Sequence, residues 1–312
     1  MKAARPEALP IAGGTDVMVE LNMAQRRPAA LLDLTRIPEL RAWSLAGERR
    51  VRLGAGVSYR RVIEELGDRL PGLAMAARTV GSPQIRNRGT VGGNLGAASP
   101  AGDSHPPLLA TGADVEVASV RGTRLIPIDE FYTGVKRNAL EPDELIAAVV
   151  VPVTGAPQQF SKIGTRNAMV IAVCSFAIAL HPDQHPDQHP DQHPDLHRDR
   201  RIGTGIGSTR STRPSTISSC CRAWSAAPTP RRAREAEAFL AGVLGEKNLW
   251  RQRGPLPEPA VRRFAELVAA AAAPIDDVRG TADYRRHALS VLARRTLCWA
   301  WDGYRATGRA AA

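Results

Sequence analysis

Apolar positions fall into short runs through the first half of the chain and into helix-spaced stripes through the last quarter. Residues 10–12, 29–34, 51–57, 114–120 and 147–153 read as strands, being short alternating or continuous apolar runs bounded by Gly, Pro or Asp. Between them, residues 59–66 predict a helix: Val62, Ile63 and Leu66 share a face and Ser58 stands at the N-cap. Further helices are expected over 73–79 and 106–110. In the second half, 160–163 reads as a strand, while the apolar run 169–180 fits a buried strand or a buried helix equally well. Residues 235–244 and 259–273 predict amphipathic helices. A last helix from Asp283 lines up Leu289, Leu292, Ala293, Leu297, Ala300 and Tyr304 as a packing stripe. Strands first and helices last imply an α+β protein.

Two glycine-rich stretches break this pattern. The first is Ile11-Ala12-Gly13-Gly14-Thr15-Asp16-Val17; the second runs from Arg88 to Asp103 and opens Arg88-Gly89-Thr90-Val91-Gly92-Gly93-Asn94, with Ser99 and Asp103 near its end. Glycine lets backbone N–H groups come close to a ligand and permits positive φ, and successive N–H groups make concave anion sites. Thr15, Thr90, Asn94 and Ser99 add donors, and Asp16 and Asp103 add acceptors for ribose hydroxyls or a ring N–H. Tight turns alone would explain the glycines but not the ordered hydroxyls and acids beside them. Two such loops suit a dinucleotide whose pyrophosphate is gripped from both sides.

The 312 residues suit two modest domains, and no apolar run is long enough to span a membrane. The N-terminus carries no secretory h-region, so a cytoplasmic location is expected. Cys174, Cys220, Cys221 and Cys298 have neither zinc nor cluster spacing and read as free thiols. The net charge of +11 raises nucleic-acid binding, but aromatics make up only 4% and no recognition motif is present, so the arginines read as solvated surface or as attraction for an acidic partner. The repeat His181-Pro182-Asp183-Gln184 runs to residue 196 and spaces five histidines, from His181 to His197, four apart. Its recurring proline forbids the helix that would align them, so no metal site is assigned. Residues 209–225, rich in Ser, Thr and Arg, read as a coreless insertion or as a stretch in a shifted frame. The glycines of 203–207 lack the dinucleotide-fold spacing.

The glycine pair resembles the flavin-binding subunits of the molybdenum hydroxylases, the family of xanthine dehydrogenase and carbon monoxide dehydrogenase medium chains. The resemblance continues through Asp143-Glu144-Leu145-Ile146, residues 160–168, and Pro274-Ile275-Asp276-Asp277-Val278-Arg279-Gly280. It implies a two-part FAD-binding domain over 1–155 and a C-terminal domain of antiparallel sheet plus helices over 156–305, interrupted at about 183–225. Run 169–180 is then an antiparallel strand. Related chains carry a strand and helix before the first loop, so the first βα unit is expected to be missing here. The resemblance implies non-covalent FAD, held by Ala12, Gly13, Gly14, Thr15, Asp16 and Val17 and by Thr90, Val91, Gly92, Gly93 and Asn94, with Ser99 and Asp103 as contacts and Ile146 and Lys162 near the ring. No general acid or base is assigned. Molybdopterin and 2Fe-2S clusters would belong to a large and a small partner subunit, with NAD or another acceptor taking the electrons. A free-standing flavin oxidase and an assembly subunit without cofactor stay open as alternatives.

Overall fold

Five antiparallel strands organise the first half, in the order Trp43–Leu45, Arg50–Gly54, Leu145–Pro152, Asp114–Ser119, Gly122–Pro127. This is a computed structural model, and it describes residues 2–47, 49–100, 102–155, 157–181, 218–222 and 229–309, without the side chains of 218–222, 308 and 309. Leu145–Pro152 is central, which is why it reads as an almost unbroken apolar run. Val51, Leu53, Val115, Val117 and Val149 point from the sheet into one core with the helices Tyr59–Glu65, Pro71–Thr79, Val91–Ala97 and His105–Thr111. On the other face Arg52 makes two hydrogen bonds to Glu116, at 2.9 and 2.6 Å, across the central strand. A separate parallel pair, Leu9–Ile11 with Leu31–Asp33, leads into the first glycine loop.

The C-terminal sheet is antiparallel, Gln158–Gly164, Ala172–Ala179 and Ser218–Arg222. Three helices, Arg234–Glu246, Glu258–Ala270 and Ala282–Arg309, form a second core against it. Ala172–Ala179 is buried along its whole length. Ala177 and Ala179 belong to the first core; Cys174, Phe176 and Ile178 belong to the second. Burial on both faces removes the alternation that marks a strand, and this explains why strand and helix fitted the run equally well.

The α+β expectation holds, with several differences of detail. The backbone of Ser218–Arg222 pairs with Ala172–Ala179, from Ser175↔Arg222 to Ala179↔Ser218, so the stretch expected to be a coreless insertion to 225 contributes a strand. Ladder hydrogen bonds come from the backbone, and composition alone hides them. The rest of 183–225, including the histidine repeat from 182 and the glycines of 203–207, lies outside the described residues. The second glycine stretch, read as a loop, is largely the helix Val91–Ala97. The helix Pro83–Arg88 and the strand Gly122–Pro127 carry too little hydrophobic pattern to have been expected.

Candidate functional site

The first glycine loop leaves the Leu9–Ile11 strand and turns into the short helix Val17–Asn22. Gly14 makes the turn with φ +76°, where a side chain would be strained. Gly13 is needed for close approach: a Cβ there would overlap the Arg88 carbonyl and come within 3.0 Å of Gly89 Cα. The two glycine loops, almost eighty positions apart in sequence, therefore touch backbone to backbone. Among the described residues, the N–H groups of Gly14, Thr15 and Asp16 have no protein acceptor. Asp16 keeps contact with solvent, yet desolvation by the loops raises its carboxyl above the usual range; Glu20 adds to the rise and Lys136 opposes it.

Thr90 starts the second motif as an N-cap, its Oγ1 accepting from Gly93 N at 2.9 Å. Gly92 lies against the first strand layer: its N–H donates to Ala55 O at 3.0 Å, and a Cβ would stand 2.6 Å from that oxygen. Val91 N donates to Val57 O and Asn94 N to Thr90 O. The sequence alone suggests that these N–H groups serve a pyrophosphate. Each has a protein acceptor instead, because the stretch is a capped helix packed on the sheet rather than an open loop. What the motif turns outward is bare surface. Gly93 and Gly96 are exposed, with Ala12 Cβ 4.0 Å from a Cβ built on Gly93 and Ile146 Cδ1 3.7 Å from one built on Gly96. A strip without side chains thus runs between the first loop and Ile146, ending where Ala98 turns left-handed at φ 42°.

The remaining expected residues lie at one end of this strip. Lys162 Nζ and Asp103 Oδ2 form an ion pair at 2.6 Å, with both side chains only 7% exposed. Thr79 backs the pair, its carbonyl accepting from Lys162 Nζ at 3.2 Å and its hydroxyl, which donates to Ala76 O at 2.8 Å, lying 3.3 Å from Asp103 Oδ2. Since Lys162 comes from the C-terminal sheet and Asp103 from the turn after the glycine helix, this contact fastens the two halves together. Ser99 closes that turn, its carbonyl accepting from Gly102 N at 3.0 Å.

Strip and loop together fit a flat, anionic dinucleotide such as FAD: open N–H donors on one side, a cradle that any Cβ would fill on the other, and the apolar Ile146 at its edge. Residues 1–154 match the family described as "FAD binding domain in molybdopterin dehydrogenase", and residues 208–300 match "CO dehydrogenase flavoprotein C-terminal domain". The chain belongs to the FAD-binding medium subunits of the xanthine dehydrogenase and carbon monoxide dehydrogenase family. It is 28% identical over 304 residues to the xanthine dehydrogenase FAD-binding subunit of Escherichia coli O157:H7, covering 95% of this chain and 89% of that one. It is 27% identical over 296 residues to the carbon monoxide dehydrogenase medium chain of Hydrogenophaga pseudoflava, covering 93% and 88%. A solved carbon monoxide dehydrogenase from that organism, lacking the Mo-pyranopterin moiety of its cofactor, superposes with a TM-score of 0.75 at 27% identity over 95% of this chain and 90% of the other.

In this FAD-binding medium subunit, residues that the sequence pattern does not mark stand behind the strip. Tyr59 OH lies 2.8 Å from Ser104 Oγ, which donates to Asn94 Oδ1 at 2.9 Å, and His105 Nε2 lies 3.3 Å from Asn94 O. His105 stacks on Tyr132 with ring centroids 4.5 Å apart. Lys136 Nζ reaches Glu20 Oε1 at 2.8 Å, joining the hairpin after Tyr132 to the first loop's helix. Ser104 and His105 directly follow Asp103, so position along the chain was a signal; Tyr59 gave none. Among the described residues no His, Cys, Asp or Glu cluster could hold a metal, and no helix is long and apolar enough to cross a membrane.

Proposed function

We propose that this chain is the electron-transfer flavoprotein subunit of a molybdenum hydroxylase, with residues 1–155 binding FAD non-covalently and 156–305 forming the C-terminal unit. The observation that carries this reading is the contact between the two glycine motifs, which leaves the Gly93–Gly96 strip facing Ala12 on one side and Ile146 on the other. Gly14, Thr15 and Asp16 would offer N–H donors to the pyrophosphate, with Gly13 and Val17 holding the turn. Thr90, Val91 and Gly92 would fix the strip in place, and Asn94 would supply its side-chain amide. Ser99, Asp103, Ile146 and Lys162 would border the ring end. When bound, FAD supplies acceptance and release of electrons. The chain itself binds, orients and shields.

The reading places molybdopterin in a large partner subunit and 2Fe-2S clusters in a small one, and gives the electrons to NAD or another acceptor. Met18, Val19 and Met23, exposed beside the first loop, favour a partner surface there. The test is co-expression with both partners, then size-exclusion chromatography and reduction of the flavin by the organic substrate. Co-elution with flavin reduced only in the complex is expected. Reduction by substrate in the isolated chain would favour a free-standing oxidase, and folded protein that takes up no FAD would favour an assembly subunit without cofactor.

A further inference from the structure

Asn94 is the one polar side chain of the glycine helix bordering the bare strip, and its orientation is fixed from behind. Its Oδ1 accepts from Ser104 Oγ at 2.9 Å, and Ser104 Oγ lies 2.8 Å from Tyr59 OH. Ser104 and Tyr59 are both buried. Burial pushes the Tyr59 phenol well above its ordinary range, against the opposing effect of the Ser104 hydrogen bond, so it stays protonated and available as a donor. Each hydroxyl has one proton to give. With Tyr59 donating to Ser104, the serine proton is directed to Asn94, and only the carbonyl end of the carboxamide can receive it.

Three further contacts hold the frame. Gly102 presses on the inner side: a Cβ there would stand 2.6 Å from Asn94 Oδ1, so no side chain can enter. Asn94 O is engaged by His105 Nε2. Tyr59 itself is anchored to the second motif, its N–H donating to Gly89 O at 3.1 Å. The amide end, Nδ2, has no acceptor among the described residues and is not buried. A carboxamide is planar, with its oxygen and nitrogen pointing apart. Oxygen inward means nitrogen outward.

We infer that Tyr59 and Ser104 are positioning residues that lock the Asn94 carboxamide with its NH₂ presented along the glycine strip, so that the site selects a hydrogen-bond acceptor of the bound dinucleotide at that point. The inference rests on the flavin reading above. It adds a polarity: the site demands an acceptor there and rejects a donor, because a flipped Asn94 would leave the Ser104 proton facing an NH₂ group inside the protein.

A double-mutant cycle on the full-length chain tests it, read by FAD affinity from flavin fluorescence and by circular dichroism of the apoprotein. Ser104→Ala frees the carboxamide to rotate and should weaken FAD binding about five- to tenfold, the value of one neutral hydrogen bond. Asn94→Ala should weaken it by at least as much. Adding Ser104→Ala to Asn94→Ala should then change FAD affinity less than twofold, since the serine acts only through the asparagine. Tyr59→Phe, which keeps the ring packed, should show the same dependence on Asn94 and covers the case in which Ser104→Ala does not fold. Equal losses from Ser104→Ala or Tyr59→Phe with and without Asn94 would overturn the inference, as would full affinity in both single variants. Wild-type protein that binds no FAD would instead overturn the flavin reading, and the two failures are distinct.

Discussion

Replacing Lys162 with methionine is the sharpest test of how the two halves are joined. The substitution keeps the length and apolar stem of the side chain and removes only the charge. Asp103 would then be a carboxylate with its side chain 7% exposed, and the Thr79 hydroxyl 3.3 Å away is a weak substitute because its proton is directed at Ala76 O at 2.8 Å. Breaking a buried pair by removing one partner costs about 3–5 kcal/mol, because the other charge is left uncompensated. The residual exposure of both side chains puts the expected loss near the lower end, about 3 kcal/mol. The Thr79 carbonyl also loses its donor, which prevents the cost from falling much below that figure. Removing both charges, as Lys162→Met with Asp103→Leu, should return stability to within about 1.5 kcal/mol of wild type, since the desolvation penalty disappears with the pair. Urea denaturation of the three proteins, followed by circular dichroism and tryptophan fluorescence, gives the comparison. A loss under about 1 kcal/mol for Lys162→Met would mean that the pair is well hydrated in solution. A double variant as unstable as the single one would mean that packing, rather than charge, is what Lys162 contributes.

Gly13→Ala should abolish FAD retention while leaving a folded protein, because its Cβ overlaps the Arg88 carbonyl and forces the two glycine motifs apart; unchanged FAD affinity would show that their contact is not needed. Glu144 is held below the usual carboxylate range by its hydrogen bonds from Arg124, against desolvation, so its contribution to stability is present above about pH 4.3 and is lost as pH falls through the lowered folded value. Wild type should therefore lose stability on acidification more steeply than Glu144→Gln in urea titrations between about pH 3 and pH 5, and parallel curves would refute this. Burial pushes the Cys174 thiol up to about 12, so maleimide labelling mapped by mass spectrometry should spare Cys174 until the protein unfolds; labelling in the native state would contradict the buried strand.

How much of this was legible depended on whether a residue's role lies in its own neighbourhood along the chain. Ser58 and the spacing of Val62 and Leu66 announce a helix, and Tyr59–Glu65 is one. The glycines of both motifs marked close approach, and at Gly13 and Gly92 the approach is real. What was misread is the direction of the second motif's donors: Thr90 as N-cap is visible in the sequence, but the acceptors Ala55 and Val57 come from the turn after the Arg50–Gly54 strand, some 35 positions earlier. Lys162 and Asp103 were both assigned to the site, yet nothing local announces that they bind each other. The polar group behind Asn94 was missed for the same reason, since Tyr59 reads simply as the first residue of an amphipathic helix.

The Ala172–Ala179 strand acts as a party wall. Moving one residue along it changes which room is disturbed: Ala177 and Ala179 face the flavin side, Cys174, Phe176 and Ile178 the helical side. Neither half can be exchanged with that of a relative by cutting at this strand, because half of every wall would then be furnished for the wrong room. A junction before Gln158 carries the whole sheet over intact and leaves only the face of Phe160, Ala177 and Ala179 to be refitted to the first core. Its amides should also be among the last to exchange with solvent, since exposing them requires both sides to open at once.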